Sequence, residues 1–65
     1  MNDTQKIERL TAMGYRVTGT GIRPAKNNTK VFYVNDQAVD DFYVLQLLDG
    51  CDWHDVIVRQ NLSLN

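Results

Sequence analysis

Val31-Phe32-Tyr33-Val34-Asn35-Asp36-Gln37-Ala38-Val39-Asp40-Asp41-Phe42-Tyr43-Val44-Leu45-Gln46-Leu47-Leu48-Asp49-Gly50 is the stretch whose reading decides the fold of this 65-residue chain. Its first four residues are β-branched or aromatic, the composition of a strand. Asn35 or Asp36 then reads as a helix cap. Residues 37–48 read as a helix, with Gly50 as its stop. On a helical wheel Ala38, Val39, Phe42, Tyr43, Val44, Leu45, Leu47 and Leu48 leave no wide polar side. Asp40, Asp41 and Gln46 interrupt the belt without forming a face. A helix apolar all round is buried on more than one side. A competing reading makes 42–48 a third strand, because Phe32-Tyr33-Val34 recurs as Phe42-Tyr43-Val44. The Asp40-Asp41 pair and the Leu-rich continuation favour the helix.

Upstream, residues 4–13 read as a short helix that Asn2, Asp3 or Thr4 can cap. Ile7, Leu10 and Met13 recur at helical spacing, with Lys6, Glu8 and Arg9 on the other side. Gly14 stands where a left-handed residue closes a helix. Residues 15–23 alternate as a half-buried strand, and Gly19 and Gly21 mark a candidate bulge. Pro24 ends that strand. Ala25-Lys26-Asn27-Asn28 is a turn by composition, and residues 29–34 return as its hairpin partner. Downstream, Asp52-Trp53-His54-Asp55 is a variant capping box opening a last helix over 53–60, followed by a tail at 61–65. The expected architecture is a single small α+β domain ordered helix, β-hairpin, helix, short helix. A hairpin covers only one side of the apolar helix, so dimerisation or a partner is expected to complete the domain. Val39, Tyr43, Val44 and Leu47 are the expected contact.

The charges are sorted along the chain. Residues 1–30 carry Lys6, Arg9, Arg16, Arg23, Lys26 and Lys30 against Asp3 and Glu8, a balance of +4. Residues 31–65 carry six aspartates against Arg59, a balance of −5. The field a partner meets is local, so a total of −1 conceals a basic end and an acidic end. This points to binding rather than chemistry. One Cys and one His supply neither a disulfide nor a zinc set. Cys51 and His54 are nonetheless the only candidate nucleophile and base, with an ordinary buried thiol and exposed imidazole as the alternative. No cofactor, metal or small-molecule substrate is expected. Gly19-Thr20-Gly21 precedes no helix start, so it does not match a phosphate-cradling loop. The apolar runs are far short of a membrane span, and the first residues lack a signal-peptide pattern. A soluble, cytoplasmic protein is expected.

Two binding readings follow. Arg16, Arg23, Lys26 and Lys30 bracket a turn tipped by Asn27 and Asn28, a ribbon able to contact phosphates and base edges. Lys30-Val31-Phe32-Tyr33-Val34-Asn35-Asp36-Gln37-Ala38-Val39 also resembles part of small winged-helix proteins of the excisionase or MerR type. There an aromatic-rich strand runs into a helix opening with an acidic residue and a Val. The resemblance implies nucleic-acid binding, but only one helix precedes the hairpin, so the helix-turn-helix that reads the major groove is lacking. The other reading places the partner at the acidic end. Asp40, Asp41, Asp49, Asp52 and Asp55, displayed on two helices, can imitate a row of phosphates, with Tyr33, Phe42, Tyr43 and Trp53 as aromatic anchors. Small regulators encoded by phages and mobile elements work by such stoichiometric obstruction. An acidic rim around an apolar surface favours this second reading. A non-enzymatic protein-binding inhibitor or regulator is therefore expected, using Asp40, Asp41, Tyr43, Val44, Leu47, Asp49, Asp52, Trp53 and Asp55. The alternative is nucleic-acid binding through Arg16, Arg23, Lys26, Asn27 and Lys30.

Overall fold

The computed structural model describes residues 1–64. Its first helix, α1 (Asp3–Ala12), opens on a reciprocal capping box. Asn2 Oδ1 accepts the Gln5 N–H at 2.8 Å, and Gln5 Oε1 accepts the Asn2 N–H at 2.9 Å. Two side chains, those of Asn2 and Gln5, thus satisfy two amides that no helical carbonyl can reach. Gly14 leaves the helix at φ 99°, a conformation that costs glycine little. Two strands follow, β1 (Val17–Arg23) and β2 (Thr29–Val34). A 3-10 turn at Pro24–Lys26 and two left-handed residues, Asn27 and Asn28, join them. Their antiparallel register slips between Val17 and Gly19, the bulge that the glycine pattern indicated.

The stretch around Asn35 folds differently from its sequence reading. Asn35 and Asp36 do not cap a helix. Both take positive φ, 50° and 65°, as the two central residues of a type I′ hairpin turn do. Residues 37–40 then return beside β2 as a third strand, β3 (Gln37–Asp40), with Val34 opposite Gln37 and Val31 opposite Asp40. The helix expected over 37–48 is therefore α2 (Asp41–Leu48), preceded by an extended Asp40 at φ −62° and ψ 147°. The competing third strand at 42–48 is absent, since those residues are helical. The stretch likened to a winged-helix protein accordingly runs into a strand, not a helix.

The last helix, α3 (Trp53–Leu64), is longer than expected and takes in residues 61–64 of the expected tail; Asn65 lies outside the described residues. The Val56 N–H bonds to the Asp52 carbonyl, and the Asp55 N–H reaches Asp52 Oδ2 at 3.4 Å, so Asp52 makes the forward half of the expected capping box, without a return bond from the Asp55 carboxylate among the described residues. The result is an α+β domain in the expected order, built on one sheet of order β1-β2-β3.

The core lies on one face of that sheet. Leu10 of α1, Phe32 and Val34 of β2, Val39 of β3, Val44 and Leu47 of α2, and Val56 and Ile57 of α3 form it. Tyr15 and Trp53 meet at its margin with ring centroids 5.7 Å apart. Residues on the face away from the helices alternate with these, and Tyr33 lies there across Gly21. A Cβ built on Gly21 would stand 2.6 Å from the Tyr33 hydroxyl oxygen. The absent side chain is what gives the ring its place. No described helix is long and apolar enough to cross a membrane.

Candidate binding surface on the second and third helices

The charge pattern determines which surfaces are left for a partner. Three of the four hairpin cations are engaged by carboxylates. Arg16 binds Asp36 across the β2–β3 turn, and Arg23 Nε donates to Asp40 Oδ1 at 2.9 Å. Lys30 Nζ lies 2.9 Å from both carboxylate oxygens of Asp3. That hydrogen bond, with the charge of Asp3 and Asp41, holds the Lys30 ammonium above its ordinary lysine value. The fourth, Lys26, donates to the Ser63 carbonyl at 2.6 Å. Asn27 is exposed at the turn. Arg16, Arg23 and Lys26 are thus folded against the second half of the chain, and Lys30 against α1.

Lys6 is one residue that the helical wheel misplaced. Helical spacing puts it on the solvent side of α1, yet it is buried. Its aliphatic stem is covered, its Nζ donates to Asp41 Oδ1 at 2.7 Å, and it stands 5.8 Å from the Phe32 ring centroid. The chain can bury this cation because the carboxylate and the ring face replace its water. Asp41 is drawn inward with it.

Asp40 also belongs to the interior. It is 7% exposed, and its carboxylate is committed to Arg23. Around it the outer edge of β3 is covered chiefly by the side chain of Gln60 on α3. Gln60 Oε1 accepts the Asp40 N–H at 2.7 Å, and Gln60 Nε2 donates to the Ala38 carbonyl at 3.0 Å. Arg23 adds a second donor to the same carbonyl at 3.0 Å. The carboxamide acts as a substitute peptide group, which is why a fully buried Gln is tolerated. Only its place after Ile57 in the α3 pattern marked it as inward-facing.

Val39, Val44 and Leu47, read as a contact for a second chain, are fully buried inside the domain. The missing cover is supplied by β3 and by α3. Tyr43 is half-buried against the core, and its ring meets Phe42 edge-on at 5.0 Å. Trp53 is likewise half-buried.

What remains outside is specific. Phe42 is 64% exposed and Leu45 is exposed beside it on α2; Val58 and the 70% exposed Leu62 lie on α3. Both pairs have helical spacing and stand away from the buried stripes of their helices. Asp49, Asp52 and Asp55, at the α2–α3 connection and the first turn of α3, are exposed and have no cationic partner among the described residues. Arg59 of α3 bonds to Gln46 of α2 at 2.7 Å and ties the two helices. The sequence reading singled out Phe42 but not Leu45, Val58 or Leu62. Their positions opposite Val44, Val56 and Gln60 on a wheel carried the signal, once the helix starts were known.

Cys51 and His54 are both exposed, one in the connection and the other in the first turn of α3. Among the described residues, no group of three or more His, Cys, Asp or Glu side chains is placed to hold a metal ion. Comparison of the chain with protein-family models, with curated proteins and with solved structures finds no match.

Proposed function

We propose that the chain is a non-enzymatic protein-binding module that covers a basic surface of another protein with the outer side of α2 and α3. The observation carrying this reading is the sorting of charge. Asp3, Asp36, Asp40 and Asp41 are spent on internal ion pairs. Asp49, Asp52 and Asp55 have no cationic partner among the described residues and stand at the connection of two helices that each carry exposed apolar positions. Clustered negative charge steers a positive partner and sets its orientation, while Phe42 and Leu62 supply apolar area for the contact. Such a domain acts by obstruction, as a small stoichiometric inhibitor or regulator does, and requires no cavity or cofactor.

The test uses the partner retained from lysate of the native host. Its association rate is measured against the native chain and against a variant carrying Asp→Asn at 49, 52 and 55. A slower rate with a flatter salt dependence supports the reading. An unchanged rate at low ionic strength removes it. Retardation of duplex DNA that Lys26→Ala weakens would transfer the function to the hairpin, since Lys26 is the hairpin cation without a carboxylate partner among the described residues.

A further inference from the structure

The two edges of the sheet are treated unequally. The outer edge of β3 is covered by a side chain, with Gln60 engaging both the Asp40 N–H and the Ala38 carbonyl. β1 is the other edge of the same sheet. Its residues Val17–Arg23 have no backbone hydrogen bonds beyond those of the β1–β2 ladder among the described residues.

The groups that β1 turns outward follow from the register. In an antiparallel sheet, alternate residues direct N–H and C=O to opposite sides. Ala38 and Asp40 turn theirs away from β2. Their partners Tyr33 and Val31 therefore turn theirs toward β1, where they meet Gly19 and Gly21. It follows that Thr20 and Ile22 present N–H and C=O to the outside. Both side chains are exposed, Ile22 at 60%.

Native edges are usually blocked by charge, proline, a bulge or brevity. Here such devices stand only at the ends of the segment. The bulge lies between Val17 and Gly19, Pro24 follows the strand, and Thr20, Gly21 and Ile22 carry no charge. The open piece is short and internally symmetric.

The geometry points to a second copy of this chain as the occupant of that edge, paired antiparallel about a two-fold axis at Gly21. In this register Thr20 of each copy faces Ile22 of the other, and every outward N–H and C=O of those two residues finds a partner. Gly21 faces Gly21 across the axis in the close pair, at a Cα separation of about 4.5 Å, where neither copy has a Cβ. Sliding the register one way brings in Pro24, which has no N–H. Sliding it the other way brings in the bulge. The self-complementary register is thus the one that fits. Thr20 and Ile22 make a β-branched cross-strand pair on the helix side. On the open face, each Tyr33 lies over its own Gly21, so two rings flank the axis. Arg16 and Arg23 are neutralised within each copy by Asp36 and Asp40, so the approach opposes no unpaired like charges. The product is a continuous six-stranded sheet, doubled from the three strands of one copy. It leaves the α2–α3 surface free.

A contact confined to one edge is small, so the dimer is expected to be weak and concentration-dependent. Sedimentation of the full chain should move from 7.5 kDa toward twice that mass as concentration rises from about 10 μM to about 1 mM. Over the same range the Thr20 and Ile22 amides, free in the single copy, should gain protection from hydrogen exchange at least several-fold. Ile22→Lys places a charge on an already exposed position and should abolish both effects while circular dichroism stays unchanged. A chain that remains monomeric at the highest concentration overturns the proposal. So does a dimer in which those two amides stay unprotected, or one that Ile22→Lys does not weaken.

Discussion

Gln60 does for the outer edge of β3 what a fourth strand would do, with one carboxamide in place of a peptide group. Substituting Gln60→Leu keeps the volume and removes both hydrogen bonds, leaving the Asp40 N–H and one bond of the Ala38 carbonyl unmade in a buried place. The expected loss is about 2–4 kcal/mol, since each buried polar group left without a partner costs about 1–3 kcal/mol. Urea unfolding followed by circular dichroism measures it; a loss below about 0.5 kcal/mol would mean that water replaces the amide. Arg23 is the second residue whose role lies in the interior. Removing it with Arg23→Ala strands the buried Asp40 carboxylate, and a destabilisation of about 2–4 kcal/mol is expected. Asp40→Asn in the same chain should restore part of it, which a double-mutant cycle reads directly. Arg23 is therefore a poor probe of nucleic-acid binding, because its loss weakens the fold first. From sequence, Arg23 and Asp40 were two surface charges of opposite halves, and the register of three strands is what joins them.

Among the elements, the turn at Asn35-Asp36 governs the rest. Asx residues serve equally as helix caps and as left-handed turn residues, so their chemistry alone does not choose. The choice is made by pairing, because Gln37–Asp40 can satisfy its backbone against β2 only if the turn is tight. A direct consequence concerns Asp36→Gly, which gives the Asn-Gly pair that type I′ turns favour. It should raise stability by about 0.5–1 kcal/mol by relieving a positive φ, even though it removes an exposed ion pair with Arg16. Thermal unfolding tests this, and a lowered midpoint would contradict the role given to the turn. Asn35→Ala should act in the opposite direction, because Asn35 Oδ1 also accepts the Arg16 N–H at 3.0 Å. The repeated Phe-Tyr-Val triplet makes the same point. Phe32-Tyr33-Val34 is a central strand and Phe42-Tyr43-Val44 is the first turns of a helix. Propensity is nearly identical in the two, and the neighbours decide.

For the molecule as a whole, the separation of charge along the chain becomes an internal neutralisation. Four ion pairs each take a cation from residues 1–30, and three of the carboxylates come from residues 31–65. Of the acids outside these pairs, Glu8 stands on α1, and Asp49, Asp52 and Asp55 follow one another through the α2–α3 connection into the first turn of α3. Replacing Asp49, Asp52 and Asp55 by Asn should leave unfolding free energy within about 0.5 kcal/mol of the native chain, because exposed substitutions away from pairs and buried groups act weakly. A larger loss in urea unfolding would mean that these carboxylates support the fold through their charge at the start of α3, since Asn caps as well as Asp does. The helices, the first hairpin and the α+β order were legible in the residues, since each rests on local spacing, capping and turn chemistry. The third strand, the burial of Lys6 and the covering of Val44 and Leu47 were not, because each depends on groups far apart in the chain.

The sequence by itself determined the succession of helix, first hairpin, helix and helix, the cap that opens α1, the bulge and the existence of two charge populations. These are set within a few residues, where backbone preference and period act. The tertiary structure alone decided which charges meet, which apolar residues stay outside and which sheet edge stays open. Those outcomes depend on where β3 and α3 come to lie, a matter of pairing and packing between segments that no short window of sequence contains.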